Sequence, residues 1–223
     1  MTRARKRERG RDETLNHLRC VPNDGDRRKR PVASDISTMH LVHPALEHLA
    51  SYTAALERGW SADNVRGAVA AQEELERIRA DAATFLLGMD DREAKGPAVK
   101  LPDGSRVARL PGFHRWLWDG EFAGSISLRW RPGTTELPPH CLGHVGYGVV
   151  PWKRRRGYAT AALRLLLPEA KAVGLPFIEV TTDPDNMVSQ KVIEAVGGVL
   201  YERFTKPPQF GSEPGLRYRI VLK

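Results

Sequence analysis

Val145-Gly146-Tyr147-Gly148-Val149-Val150-Pro151-Trp152-Lys153-Arg154-Arg155-Arg156-Gly157-Tyr158-Ala159-Thr160 is the stretch on which the fold turns. The run from His144 to Val150 is β-rich, and Pro151 terminates it. From about Arg156 to Val173, residues Ala159, Leu163, Leu166, Leu167 and Ala170 share one helical side until Gly174 stops the helix. Lys153, Arg154, Arg155 and Arg156 therefore stand where a strand hands over to a helix. A helix N-terminus carries about half a positive charge and favours acids by roughly 0.3 to 1 kcal/mol, so four cations there oppose the dipole. An anionic ligand reverses the sign: free main-chain N–H groups, the dipole and guanidinium groups together make a phosphate site, and Gly157 lets an oxyanion reach the backbone. A solvated charge run fits the same spacing. The turn lacks the Gly-Lys-Ser/Thr of a P-loop, and Gly157 stands alone where a dinucleotide fingerprint needs three glycines.

Outward from this junction, the order is α/β. Toward the N-terminus, Phe113 to Trp118 and Glu121 to Trp130 flank Asp119-Gly120, a hairpin signal. A Pro-rich loop, 131–139, joins that hairpin to the strand before Pro151. Earlier still, Met39, Leu41 and Val42 read as a short strand. A helix follows with Leu46, Leu49, Ala50, Thr53 and Leu56 on its inner face. A second helix, capped by Ser61 or Asp63, carries Val65, Ala68, Val69, Leu75, Ile78, Ala82, Phe85 and Leu86. The stretch 90–110 reads mostly as loop. Beyond Gly174 come a strand (177–182), a helix (186–196) and two closing strands (199–204 and 216–222).

Arg154-x-x-Gly157-x-Ala159 between an apolar strand and a helix resembles the acetyl-coenzyme A signature of the GCN5-related N-acetyltransferase (GNAT) family, written Gln/Arg-x-x-Gly-x-Gly/Ala. The resemblance extends through Asp183-Pro184-Asp185-Asn186-Met187-Val188-Ser189 and Gly197-Gly198-Val199-Leu200. It implies one α/β domain over residues 38–223, with a mixed, mostly antiparallel central sheet flanked by helices and two central strands that splay apart. It further implies that the backbone of Tyr147, Gly148 and Val149 pairs with the pantetheine arm. Arg154, Arg155, Arg156, Gly157, Tyr158, Ala159 and Thr160 would wrap the pyrophosphate, and Asn186 would bond the cofactor or the acceptor while also serving as an N-cap. The implied activity is direct transfer of an acetyl group from acetyl-coenzyme A to a primary amine of a small molecule or peptide. A non-catalytic acyl-coenzyme A binding or regulatory module is the alternative.

Catalytic residues are not identified at this level. The tyrosine that many family members place seven residues after the equivalent of Asn186 is replaced here by Ile193. For a base, His144, His140 and Glu136 are all available, each with a structural role as the stronger reading. His140 and His144 lie about 13 Å apart along an extended chain, too far to share one ion, so no metal is expected. Trp116 and Trp118 alternate to one face, as core packing requires.

The charge is unevenly distributed. The 223 residues carry 35 Lys+Arg against 27 Asp+Glu, a net +8, but residues 1–30 alone hold eleven cations and five anions, a net +6. The remainder holds 24 against 22, a net +2, so the body presents no folded cationic face and a nucleic acid partner is not expected. Residues 1–37 read as a basic, disordered extension. Apolar runs too short to span a bilayer, and two cysteines, Cys20 and Cys141, fit a cytoplasmic protein without a membrane partner. A homodimer is left open.

Overall fold

The computed structural model describes residues 39–63, 65–101 and 104–223. The extension assigned to residues 1–37 lies outside them.

The hairpin is the centre of the first sheet. Strands β5 (Gly112–Trp118) and β6 (Phe122–Arg129) pair antiparallel, with Trp118 opposite Phe122 and a bulge beside it. Around them the sheet runs β1-β5-β6-β7, where β1 is His40–Val42 and β7 is Val145–Val149; the two-residue β2 (Asp90–Asp91) also pairs with β5. The two-residue strands β3 (Val99–Lys100) and β4 (Arg106–Val107) form a separate ribbon, so 90–110 holds three short strands where loop is expected. A second antiparallel sheet has the order β8-β10-β9, from β8 (Phe177–Thr182), β9 (Val199–Thr205) and β10 (Pro214–Val221).

Helices cover both faces of the first sheet. On one side α1 (Leu46–Glu57), α2 (Ala68–Ala80) and α3 (Ala82–Leu87) close over an aromatic cluster in which Tyr52 stacks on Trp116 at 4.5 Å and meets Phe122 edge-on. α1 is turned part-way from its expected face: Leu56 is buried and Leu49 packs on the cluster as expected, but Tyr52 and Ala55 are buried too, whereas Leu46 is 65% exposed and Ala50 is exposed. The expected second helix is two helices, because Asp81 turns extended and caps α3 through the Thr84 N–H. Of its expected stripe, Val65 and Val69 face solvent.

On the other side lie α4 (Tyr158–Ala172) and α5 (Met187–Glu194). The buried side of α4 is Tyr158, Ala162, Leu163, Leu166 and Ala170, against Ile126, Leu128, Ile178, Val180 and Ile220; Ala159 and Leu167 are only partly buried. Arg115, 2% exposed, ties β5 to α4 through Glu169 at 2.7 Å and to β2 through Asp90 at 3.1 Å. No helix of the described residues is long and apolar enough to cross a membrane.

Candidate functional site

The two sheets meet at one end of β7 and part at the other. At the junction His144 donates its main-chain N–H to the Glu179 carbonyl at 2.8 Å, and its Nδ1 accepts the Glu179 N–H at 3.0 Å. Gly143 fits there because a Cβ would approach the Glu179 carbonyl to 3.0 Å. Beyond this stitch β7 pairs with β6 and has no ladder with β8. A cleft of ≈ 790 Å³ opens between them, within the size range of ligand sites.

The free edge of β7 follows from alternation. His144 accepts from the Arg129 N–H and Val150 donates to the Ala123 carbonyl, so even-numbered residues bond β6. Tyr147 and Val149 therefore turn their peptide groups into the cleft. Gly148 does not: its carbonyl points at Gly124, where a Cβ would lie 2.2 Å from it. Of the three residues expected to pair with a ligand through the backbone, Gly148 contributes a bare surface instead.

At the mouth of the cleft, Arg155 (φ 60°) and Gly157 (φ 78°) both take the left-handed conformation, and no side chain caps α4. Such alternation folds successive N–H groups around a concavity suited to an anion. The four cations divide. Arg154, Arg155 and Arg156 are exposed, but Lys153 is 4% exposed and turned inward to Asp119 at 2.5 Å and Glu121 at 2.8 Å. Lys153 therefore anchors the turn through its side chain and leaves the arginines to present charge. Arg154 Nε donates to the Val149 carbonyl at 3.2 Å. Tyr158 is buried, with its hydroxyl donating to Asp119 at 2.6 Å, so only its main chain faces the cleft.

Ten of the eleven expected residues border this cleft: Tyr147, Gly148, Val149, Arg154, Arg155, Gly157, Tyr158, Ala159, Thr160 and Asn186. Arg156 does not. Asn186 caps α5 by accepting the Ser189 N–H at 3.1 Å. The sequence reading missed two polar residues, Ser189 and Thr182, and the side-chain role of a third, Tyr147. Tyr147 and Ser189 hydroxyls lie 2.7 Å apart across the cleft, and burial pushes the Tyr147 phenol up, so it stays protonated. The Thr182 hydroxyl is buried in the wall without a partner, the orphaned group a ligand amide would satisfy. All three lie in ordinary helix or strand context, where nothing local marks them.

Ile193 is fully buried in the core, and Gly198 packs so closely that a Cβ would lie 2.4 Å from its Cγ2. His144, also fully buried, is pushed down to about 4 by burial, with the nearby Arg129 charge adding to it. It is a neutral pin between the sheets. Glu136 lines a second cavity, of ≈ 810 Å³, on the outer face of the second sheet; this cavity shares Leu142 and Phe204 with the cleft.

Two sheets splayed over a cationic strand-to-helix turn define the acyl-coenzyme A acyltransferase class of fold. The sequence profile described as Acetyltransferase (GNAT) domain matches residues 41–199, and the chain belongs to this family. No curated protein matches it by sequence. Among solved structures, it is similar to the microcin C7 self-immunity acetyltransferase MccE in complex with acetyl-CoA and AMP (15% identity, 85% of this chain and 97% of that one, TM-score 0.51). It is also similar to RimL, a ribosomal L7/L12 α-N-protein acetyltransferase in complex with coenzyme A (12% identity, 83% and 95%, TM-score 0.55). A third is the Salmonella typhimurium acetyltransferase that modifies the N-terminal serine of L7/L12 (12% identity, 84% and 96%, TM-score 0.53). At these identities the likeness is one of fold.

Proposed function

We propose that the chain is an N-acetyltransferase that moves the acetyl group of acetyl-coenzyme A directly to a primary amine, as a cytoplasmic enzyme whose catalytic domain spans residues 38–223. The observation that carries this reading is the uncapped N-terminus of α4 behind the left-handed Arg155 and Gly157, opening on a cleft whose other wall is the unpaired edge of β7. A pyrophosphate fits the turn, through main-chain N–H groups of 157–160 with Arg154 and Arg155 beside them. Pantetheine amides fit the Tyr147 and Val149 peptide groups and the orphaned Thr182 hydroxyl, as strand addition to a free edge does. Asn186 keeps its capping bond and lines the same wall. Acetyl-coenzyme A supplies an activated acyl group when bound.

The remaining tasks fall to the chain. The amine nitrogen forms its bond to the acyl carbon as the carbon–sulfur bond breaks; the amine gives up a proton and the departing thiolate takes one. Tyr147, paired with Ser189, is the protonated group in the cleft and replaces the acid missing at Ile193. A free thiol near pKa 8.5 already leaves tolerably, which limits what this donor must supply. Main-chain N–H groups of β7 aimed at the acyl oxygen would contribute as oxyanion donors do.

Calorimetry with coenzyme A on the wild type and on Gly157→Glu tests the reading, together with release of free thiol from acetyl-coenzyme A over a panel of amines. Binding by the wild type, its loss in the variant and amine-dependent thiol release are expected. Absence of coenzyme A binding ends the proposal, and binding without thiol release leaves the non-catalytic module.

A further inference from the structure

Seven Lys and Arg side chains among the described residues are not exposed. Six of them reach a carboxylate. Arg115 pairs with Asp90 and Glu169, Lys153 with Asp119, Arg109 with Asp91 at 3.7 Å, and Lys206 with Asp183 at 2.5 Å. Arg217 and Arg219 share Glu179, so the cations of the second cavity are neutralised within it. The seventh, Arg129, forms no ion pair. It is partly buried and its side-chain partner is the neutral Cys141 thiol, so its charge is the one in this set left without a carboxylate and available to an anion.

Its position is specific. On β6, Ser125, Ser127 and Arg129 point to the same side as Trp116 and His114, the side covered by α1 to α3, because Ile126 and Leu128 point into the core beneath α4. Opposite them on β7 stand Gly148 and Gly146, so this face of the strand has no side chains. The Arg129 Nη2 lies 2.8 Å from where a Cβ of Gly146 would be, flat against the main chain; Trp60 stands 3.6 Å from the same point on Gly148. Gly146 is also part of the cleft wall. Arg129 therefore lies beside the α1 to α3 face of β7, the strand whose other edge borders the cleft. The charge is felt by its neighbours: His114 and His144 are lowered to about 4, chiefly by burial, with the Arg129 charge acting in the same direction. The acid acting on His144 is Glu179, itself held by Arg217 and Arg219.

We propose that the amine acceptor carries an anionic group, a carboxylate or a phosphate, that pairs with Arg129 and so seats the amine over the Gly146 to Gly148 face of β7. This deepens the acetyl-transfer reading and rests on it. Arg129 supplies a planar fork suited to either oxyanion. The substrate class is a small amino acid, an aminoalkyl phosphate or a peptide whose N-terminus lies close to an acidic group, in contrast to a neutral or polycationic amine.

The test uses the full chain saturated with coenzyme A, so that the pyrophosphate turn is filled. The Arg129 guanidinium resonance, assigned by its disappearance in Arg129→Gln, is followed by NMR while inorganic phosphate or acetate is added at constant ionic strength. A saturable shift is expected. Thiol release is then compared within pairs of amines: phosphoethanolamine against ethanolamine, and alanine against alaninamide. A charge-assisted pair predicts about tenfold or greater preference in kcat/KM for the anionic member, falling toward unity in Arg129→Gln. The arm with the larger preference identifies phosphate or carboxylate. No saturable shift, a preference for the neutral member, or a preference that survives Arg129→Gln overturns the proposal. Failure of the wild type to bind coenzyme A would instead remove the acetyl-transfer reading and leave the resonance titration to decide Arg129.

Discussion

Lys153 Nζ lies 2.5 Å from Asp119 Oδ1, with the two side chains 5% and 2% exposed, and this pair joins the cationic turn to the tip of the β5–β6 hairpin. Tyr158 donates to the other oxygen of the same carboxylate. Burial pushes Asp119 up, but the bonds from Lys153 and Tyr158 outweigh it and hold the carboxyl below its usual range. One buried anion thus sets the position of residues on both sides of the left-handed turn. Asp119→Ala is expected to cost about 1 to 3 kcal/mol, because it removes the buried carboxylate and leaves the Lys153 ammonium only the exposed Glu121. Coenzyme A affinity should fall with it. Urea denaturation and calorimetry check both, and replacing the pair by Asp119→Leu with Lys153→Met should recover stability without recovering affinity.

Gly124 is the corresponding constraint on the strand side. A Cβ there would stand 2.2 Å from the Gly148 carbonyl and 2.9 Å from the Val149 Cα, both backbone atoms that no rotamer change can move. Gly124→Ala must push β7 away from β6, at about 1 to 3 kcal/mol for overpacking. Since β7 is one wall of the cleft, coenzyme A binding should weaken more than stability alone explains. Equal loss in Gly120→Ala, a solvent-facing glycine of the same hairpin, would show that the effect is general destabilisation.

What could be read from the chain depended on how far apart the determinants lie. The strand Phe177–Thr182 alternates strictly and is bracketed by Gly174 and Asp183-Pro184, so pattern and punctuation agree. The arginines and Gly157 are adjacent in sequence, and their conflict with the helix dipole is a local signal. The inward turn of Lys153 depends on Asp119, thirty-four positions earlier, and four consecutive cations look alike until that partner is placed. The turn of α1 has the same reason: Leu49 and Leu56 follow the local pattern, but Tyr52 is chosen by Trp116 and Phe122 from another part of the chain. Asp81 did carry a cap signal, Asp-x-x-Thr, but an uninterrupted apolar stripe concealed it.

Tyr147 and Ser189 are expected to act as one proton source. Tyr147→Phe and Ser189→Ala should each lower kcat for thiol release by about tenfold, below the usual range for a general acid because the thiolate is a fair leaving group. Removing both should cost little more than removing either, as groups acting as a unit do. KM for acetyl-coenzyme A should stay within a few-fold. Steady-state kinetics decides: a double variant with wild-type kcat excludes the pair.

His144 links the fold to pH. Its imidazole is neutral in the folded chain, with burial lowering it to about 4 from an ordinary value near 6.5. The unfolded chain therefore binds the proton first, and the stabilisation present above pH 6.5 is lost as pH falls toward 4. Linkage puts the loss between pH 7 and pH 5 at about 2 kcal/mol from this residue. His144→Gln removes the titration, so its stability should fall less over that interval than the wild type's, although it starts lower because Gln cannot reproduce the ring's acceptor for the Glu179 N–H at the same distance. Urea denaturation at the two pH values measures the difference; parallel losses in both proteins would assign the pH dependence to other groups, His114 first among them.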